Sequence, residues 1–142
     1  MSKLKIKVRF DYEGKSKRKK LINVNNSLEK AEELRQQKAA FMRNIPIQGI
    51  EILEIDMSQE AYTIRDEIEG QNVSYAPMFV TVMADSVDAV IKFPMDEAFR
   101  TIEIIEPELL SVSRTELERV FCRINTELLN YRQQLERKRD WK

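Results

Sequence analysis

Residues 3–12 alternate between charged and apolar side chains without a break. The apolar positions are Leu4, Ile6, Val8, Phe10 and Tyr12. A period of two is typical of a strand that has one buried face. The polar run after Gly14 predicts a turn, and the apolar residues at 21–24 predict a returning strand. We therefore expect a basic β-hairpin over residues 3–24, with Phe10 and Tyr12 on its buried face.

Two segments have the apolar spacing of helices. The first follows Asn26, which is a suitable N-cap, and runs over residues 27–43. The second follows a capping box made by Ser113 and Glu116, and runs over residues 114–137. The apolar residues of the second segment are separated alternately by four and three positions, which is a heptad pattern. They are Leu117, Phe121, Ile124, Leu128, Tyr131 and Leu135.

Short apolar runs elsewhere in the chain predict further strands. They lie at 50–57, 62–68, 77–84, 87–93 and 101–106. Strands followed by a helix, then strands followed by a longer helix, predict an α+β fold. We expect a single domain over residues 1–142, with a largely antiparallel sheet of five to seven strands. The two main helices, 27–43 and 114–137, should pack on that sheet.

The composition removes much of the chemistry that a small enzyme would use. The 142 residues contain no histidine and one cysteine, Cys122. This excludes Ser-His and Cys-His nucleophile pairs and Cys/His zinc sites. The three glycines are too far apart for a phosphate-binding loop. We therefore expect no catalytic residues, no metal and no cofactor, although a carboxylate or lysine mechanism stays open. Cys122 should be a small buried hydrophobic residue.

Positive and negative charges balance over the whole chain, at 24 each, but not locally. The predicted turn of the hairpin carries the cations Lys15, Lys17, Arg18, Lys19 and Lys20. Such a run could follow a phosphate backbone, which is the basis of a nucleic-acid-binding hypothesis. The alternative is a solvated charged turn beside a lysine-rich strand, because lysines on an edge strand prevent aggregation.

The acidic segment 51–69 also has two interpretations. Its carboxylates could bind Mg²⁺, but the segment has no recognisable loop motif for a divalent cation. The simpler interpretation is a solvated strand face that balances the basic hairpin.

The heptad of the last helix leaves two arrangements open. The first half is expected to pack on the sheet. A helix of about 25 residues is nearly 40 Å long, whereas a strand of five or six residues spans under ~20 Å. The overhang should therefore make a homodimer contact through Leu128, Tyr131 and Leu135.

The start of the chain lacks the apolar core of a signal peptide, and no stretch is long enough to cross a bilayer. One cysteine cannot form an intramolecular disulfide. These features predict a cytosolic protein of bacterial type with no membrane partner.

Residues 102–110, IEIIEPELL, are followed by a charged amphipathic helix. This order resembles the C-terminal end of WYL-type bacterial regulators, which close with a strand, a turn and a helix. The arginine and tyrosine pattern of the ligand-binding core of that family and its DNA-binding head are missing from the sequence. No membership in that family follows.

Together these patterns favour a non-catalytic interaction or regulatory domain that self-associates through its C-terminal helix and contacts a protein partner. The alternative is binding of nucleic acid through the basic hairpin.

Overall fold

The alternating segment at the start of the chain is an inner strand of the sheet. A computed structural model describes residues 3–14, 24–66 and 70–140. Its strands are β1 (Leu4–Glu13), β2 (Ile50–Asp56), β3 (Tyr62–Asp66), β4 (Gln71–Ala84) and β5 (Phe99–Glu106). Its helices are α1 (Val24–Asn44) and α2 (Arg114–Asp140), with a short 3₁₀ helix at Asp88–Val90. The expected α+β class, with one antiparallel sheet and two main helices, is confirmed.

The strands follow the order β2-β4-β1-β5, and all the pairings are antiparallel. β4 is 14 residues long, so its first half pairs with β3 and its second half with β2. β1 has β4 on one side and β5 on the other. The predicted hairpin is therefore wrong where it can be judged, because both partners of β1 are distant in sequence and Val24 begins α1. Residues 15–23 lie outside the described part.

The core lies between the sheet and two covering segments. The alternating residues of β1 all point to this side and are buried, as the period of two predicted. α1 covers β4 and β1 with small side chains, since Ala31 and Ala39 are fully buried. The segment after β4 supplies Val90 and Phe93 to the same core. A strand was predicted at 87–93, but this segment forms the 3₁₀ helix and turns, because a crossover to β5 must run over the sheet.

A gap on one side of β4 explains how a proline sits inside the sheet. β2 pairs with β4 as far as Phe79, and β3 begins to pair at Tyr75. Pro77 lies between the part of β4 that pairs with β3 and the part that pairs with β2. No strand faces Pro77 on that side, so its missing N–H removes no hydrogen bond of the sheet. Arg35 of α1 fills the gap, because its Nη1 donates to the Pro77 carbonyl at 3.1 Å and to the Gln59 carbonyl at 2.8 Å.

Ser27 joins α1 to the end of the sheet. The Ser27 hydroxyl donates to the Gly14 carbonyl at 3.0 Å and accepts from the Ser74 N–H at 3.0 Å. The Gly14 N–H donates in turn to the Ser74 carbonyl at 2.9 Å. All three residues are buried. β1, β4 and α1 thus meet at one hydrogen-bonded point.

α2 differs from the prediction in its packing. It begins as predicted, because the Ser113 hydroxyl accepts the Glu116 N–H at 3.1 Å. Its main packing partner is the 3₁₀ helix rather than the strands. The segment after β4 packs Val90 and Phe93 into the core, and α2 lies on the outside of that segment.

The close approach at Gly14 generates a stability prediction. A Cβ at this position would lie 1.9 Å from the Ser27 carbonyl oxygen and 2.8 Å from the Ala31 nitrogen. Both are backbone atoms of α1, so the Gly14→Ala variant must displace the helix. We expect a loss of roughly 3 kcal/mol in the free energy of unfolding, measured with urea.

Gly70→Ala is the matched control. Gly70 has a φ of +70° but no atom within 4 Å of an added Cβ, so only backbone strain of about 1 kcal/mol should appear. Equal losses in the two variants would contradict a close contact at Gly14.

Candidate functional site

The basic run proposed for nucleic acid cannot be placed. Lys15, Lys17, Arg18, Lys19 and Lys20 all lie outside the described residues. The structure does describe the charged side of β1 that precedes them. That side turns away from α1 and forms an open face of the sheet.

The open face of the sheet carries balanced charge. Lys5, Lys7 and Arg9 occupy successive rows of this face. The acidic residues in the same rows are Glu51, Glu54 and Asp56 on β2, with Glu103 and Glu106 on β5. Hydrogen bonds from Ser58, with a smaller contribution from Lys7, lower the pKa of Asp56. The described part of this face is therefore no continuous cationic track, and β1 is an inner strand rather than a lysine-protected edge.

Three aromatic rings lie among these charges. They are Tyr62, Tyr75 and Phe79. Lys7 Nζ and Arg9 Cζ lie 5.3 and 5.5 Å from the Phe79 centroid, and Arg100 Cζ lies 5.5 Å from that of Tyr75. These distances are typical of cation–π contacts. The rings of Tyr62 and Tyr75 stack at 5.5 Å. Sequence reasoning missed these rings because Phe79 lies within the apolar run at 77–84, and because the pairing of β3 with β4 that brings Tyr62 beside Tyr75 has no signal in the sequence.

Asp11 is the centre of the most tightly bonded group on the open face. Its side chain is only 2 % exposed. Arg9 donates to both carboxylate oxygens, from Nε at 2.8 Å and Nη2 at 3.1 Å. The Tyr62 hydroxyl donates at 2.6 Å, and Arg100 Nε lies 3.8 Å away. One buried carboxylate thus links residues of β1, β3 and β5.

A bulge in β5 places Arg100 in this group. Arg9 pairs with Thr101 and Phe10 with Phe99, so Arg100 is an extra residue in the β5 ladder. A bulge changes the direction of a side chain. Here it turns Arg100 toward Asp11. Sequence periodicity contains no signal for this shift in register.

A cleft of about 590 Å³ lies between the second half of α2, α1 and the segment 92–98. Its charged lining includes Lys38, Lys92, Asp96 and Glu127, so it favours neither sign of ligand charge. Within residues 3–14, 24–66 and 70–140 there is no group of three or more acidic or cysteine side chains placed to hold a metal ion.

The heptad residues of α2 form an apolar stripe, here called the seam, in which Ile124 is half-buried and the other five side chains are exposed. Its members are Leu117, Phe121, Ile124, Leu128, Tyr131 and Leu135. Phe121 is 63 % exposed and Leu128 is 54 % exposed, while Tyr131 and Leu135 are also exposed. The predicted contact residues therefore all lie on the surface of the chain.

None of the helices in the described part is long and apolar enough to span a membrane.

The side of α2 that contacts the rest of the chain lies beside the seam, and the seam residues Ile124 and Tyr131 lie at its border, where Ile124 is half-buried and Tyr131 lines the cleft. Glu116 and Val120 are buried, and Glu127 is half-buried. At 3.6 residues per turn, this side lies roughly 90° around the helix from the seam. An ordinary amphipathic surface helix packs its apolar stripe on its own domain. α2 instead turns most of its apolar side chains outward.

Cys122 is exposed on α2, which corrects the prediction that it is buried. Its proximity in sequence to Phe121 indicated the core, but Phe121 belongs to the outward-facing seam. The cysteine therefore contributes no core packing.

Comparison of the chain with protein-family models, with curated proteins and with solved structures finds no match in any of the three.

The bond between Tyr62 and Asp11 generates a pH prediction. Partial burial and the hydrogen bond to Asp11 raise the pKa of Tyr62 above its usual value of 10.0. The folded state thus favours the neutral phenol. Its stabilising contribution is complete below pH 10 and is lost as the pH rises through the raised pKa. Tyr62→Phe should lower the free energy of unfolding by about 1 kcal/mol at pH 7. The difference from the wild type should shrink in alkaline solution.

Urea unfolding at pH 7 and at pH values above 10 measures both effects. Tyr75→Phe is the control, because Tyr75 lies in the same ring stack and the described structure gives its hydroxyl no hydrogen bond. An equal loss in both variants at pH 7 would contradict a specific contribution of the hydrogen bond between Tyr62 and Asp11.

Proposed function

We propose that this protein is a non-catalytic interaction or regulatory domain that self-associates through the seam of α2. The observation that carries the proposal is a heptad of large apolar side chains on the surface of a 27-residue helix. Its action in the bacterial cytosol is part of the proposal, and the single free cysteine supports that compartment.

Exposure of the seam to water is unfavourable. Half of a large apolar side chain is on the order of 100 Å² of surface, so the five exposed seam residues present roughly 500 Å² to water. A contiguous patch of this size is at the upper end for a monomer and typical of a binding surface. Covering it in two copies would bury about 1,000 Å² in total, which corresponds to a small interface. We therefore expect self-association that depends on concentration.

A second copy is the partner that fits the pattern of the seam. A heptad stripe is self-complementary, because residues of one helix insert between those of the same stripe on another helix. The chain's own domain does not occupy this place, since it contacts α2 on the side of Glu116 and Val120. A two-fold axis between two seams would cover both.

Charge in the seam provides the test. Leu128→Glu with Leu135→Glu would place four carboxylates in the interface of two copies, where each would be desolvated without a partner. We expect the double variant to be monomeric over the concentration range in which the wild type is dimeric. Sedimentation velocity at low to high micromolar concentration measures the difference.

The matched control is Thr126→Glu with Gln133→Glu. These two positions are exposed and lie on the opposite side of α2, so the same added charge should leave the dimer intact. A wild type that stays monomeric at high micromolar concentration, or a control that dissociates as readily as the seam variant, would contradict the proposal.

A further inference from the structure

We infer that the two copies of α2 lie parallel and in register, with the two-fold axis running along the helices. The inference rests on the self-association proposed above and specifies its geometry. It follows from the place of the domain relative to the seam.

The domain lies alongside α2 over most of the length of the helix. The first half of the helix packs on the 3₁₀ helix, with Glu116 and Val120 buried. The second half, from Glu127 to Lys138, lines the cleft against α1 and the segment 92–98. The side of α2 that faces the domain, from Glu116 to Lys138, and the seam share nearly the same midpoint along the helix axis. The domain therefore lies directly beside the seam, about a quarter of a turn away.

An antiparallel pair would bring the two domains into collision. Two antiparallel helices with their seams face to face define a plane that contains both helix axes. The two-fold axis that relates them is perpendicular to this plane. Rotation about it therefore leaves both domains on the same side of the plane. Packed helices are 8–10 Å apart. A chain of this length has a radius of gyration of roughly 14 Å, so two domains at that spacing would overlap.

A parallel pair avoids the collision. The two-fold axis then runs between the helices, along their length, and carries one domain to the opposite side of the pair. Each domain would lie against the side of the partner's helix that faces away from the partner's own domain. This side presents Glu118, Asn125 and Arg132. These three residues are exposed in the single chain, so the side is free to receive it.

Charges beside the seam fit the parallel direction without deciding it. Glu127 and Arg132 occupy flanking positions five residues apart, which face one another across a parallel heptad pair. In an antiparallel pair, Glu118 would face Arg132, so opposite charges also meet there. The position of the domain therefore decides the direction.

Disulfide trapping tests the orientation. Cys122→Ser removes the natural thiol, and Leu135→Cys then places one thiol near the end of the seam. In a parallel pair the two introduced thiols face each other. In an antiparallel pair Leu135 would face Leu117, and the two copies of position 135 would be about 27 Å apart along the axis. A disulfide needs Cα atoms within about 7 Å.

We expect mild oxidation of the Leu135→Cys protein to give mostly covalent dimer, seen on a non-reducing gel. Gln133→Cys in the same Cys122→Ser background is the control, because it lies on the opposite side of α2 and should stay uncrosslinked. A mixture of Leu135→Cys with a larger, tagged Leu117→Cys chain should give no mixed crosslink. Thermal melts and sedimentation of the reduced proteins check that each variant is folded and associated.

The outcomes separate the two proposals. A dimer that crosslinks only between positions 117 and 135 would overturn the parallel orientation and leave self-association through α2 intact. A reduced protein that sediments as a monomer would overturn the proposed function itself. A dimer that crosslinks neither between two copies of position 135 nor between positions 117 and 135 would overturn both, because its interface would then lie elsewhere.

Discussion

The structure depends on the pairing of β1 along both of its edges. A strand in this place must send one side of its alternating residues into the core and the other side to the open face. The five apolar residues of β1 are buried for this reason. The same pairing brings Asp11 under the side chains of neighbouring strands, where it is almost fully buried and held by Arg9 and Tyr62. Most other features of the sheet follow from the ladder of this one strand.

The position of β1 inside the sheet also changes what its lysines indicate about binding. On an edge strand, a row of cations would face solvent and any approaching polyanion. Here the rows of Lys5 and Lys7 continue into acidic residues of β2 and β5. Opposite charges on adjacent strands neutralise one another at short range. The basic strand is therefore one half of a balanced face.

α2 separates two roles that an amphipathic helix usually combines. Its attachment to the domain uses Glu116, Val120 and the side that lines the cleft. Most of its apolar seam is left to solvent, with Phe121 and Leu128 more than half exposed and Ile124 half-buried. Burial of apolar surface is the dominant favourable term in association. The exposed seam is thus the feature on which our functional proposal and its parallel geometry depend.

The sequence by itself determined the elements whose signals are local. The alternation of β1, the cap of α2 and the α+β class all rest on neighbouring residues, and each is confirmed. The heptad likewise predicted which residues of α2 would form one stripe. Tertiary structure decided which partner each element meets, because periodicity specifies a face and not a neighbour. The missing hairpin, the bulge at Arg100 and the outward direction of the seam all depend on which segments already cover the sheet.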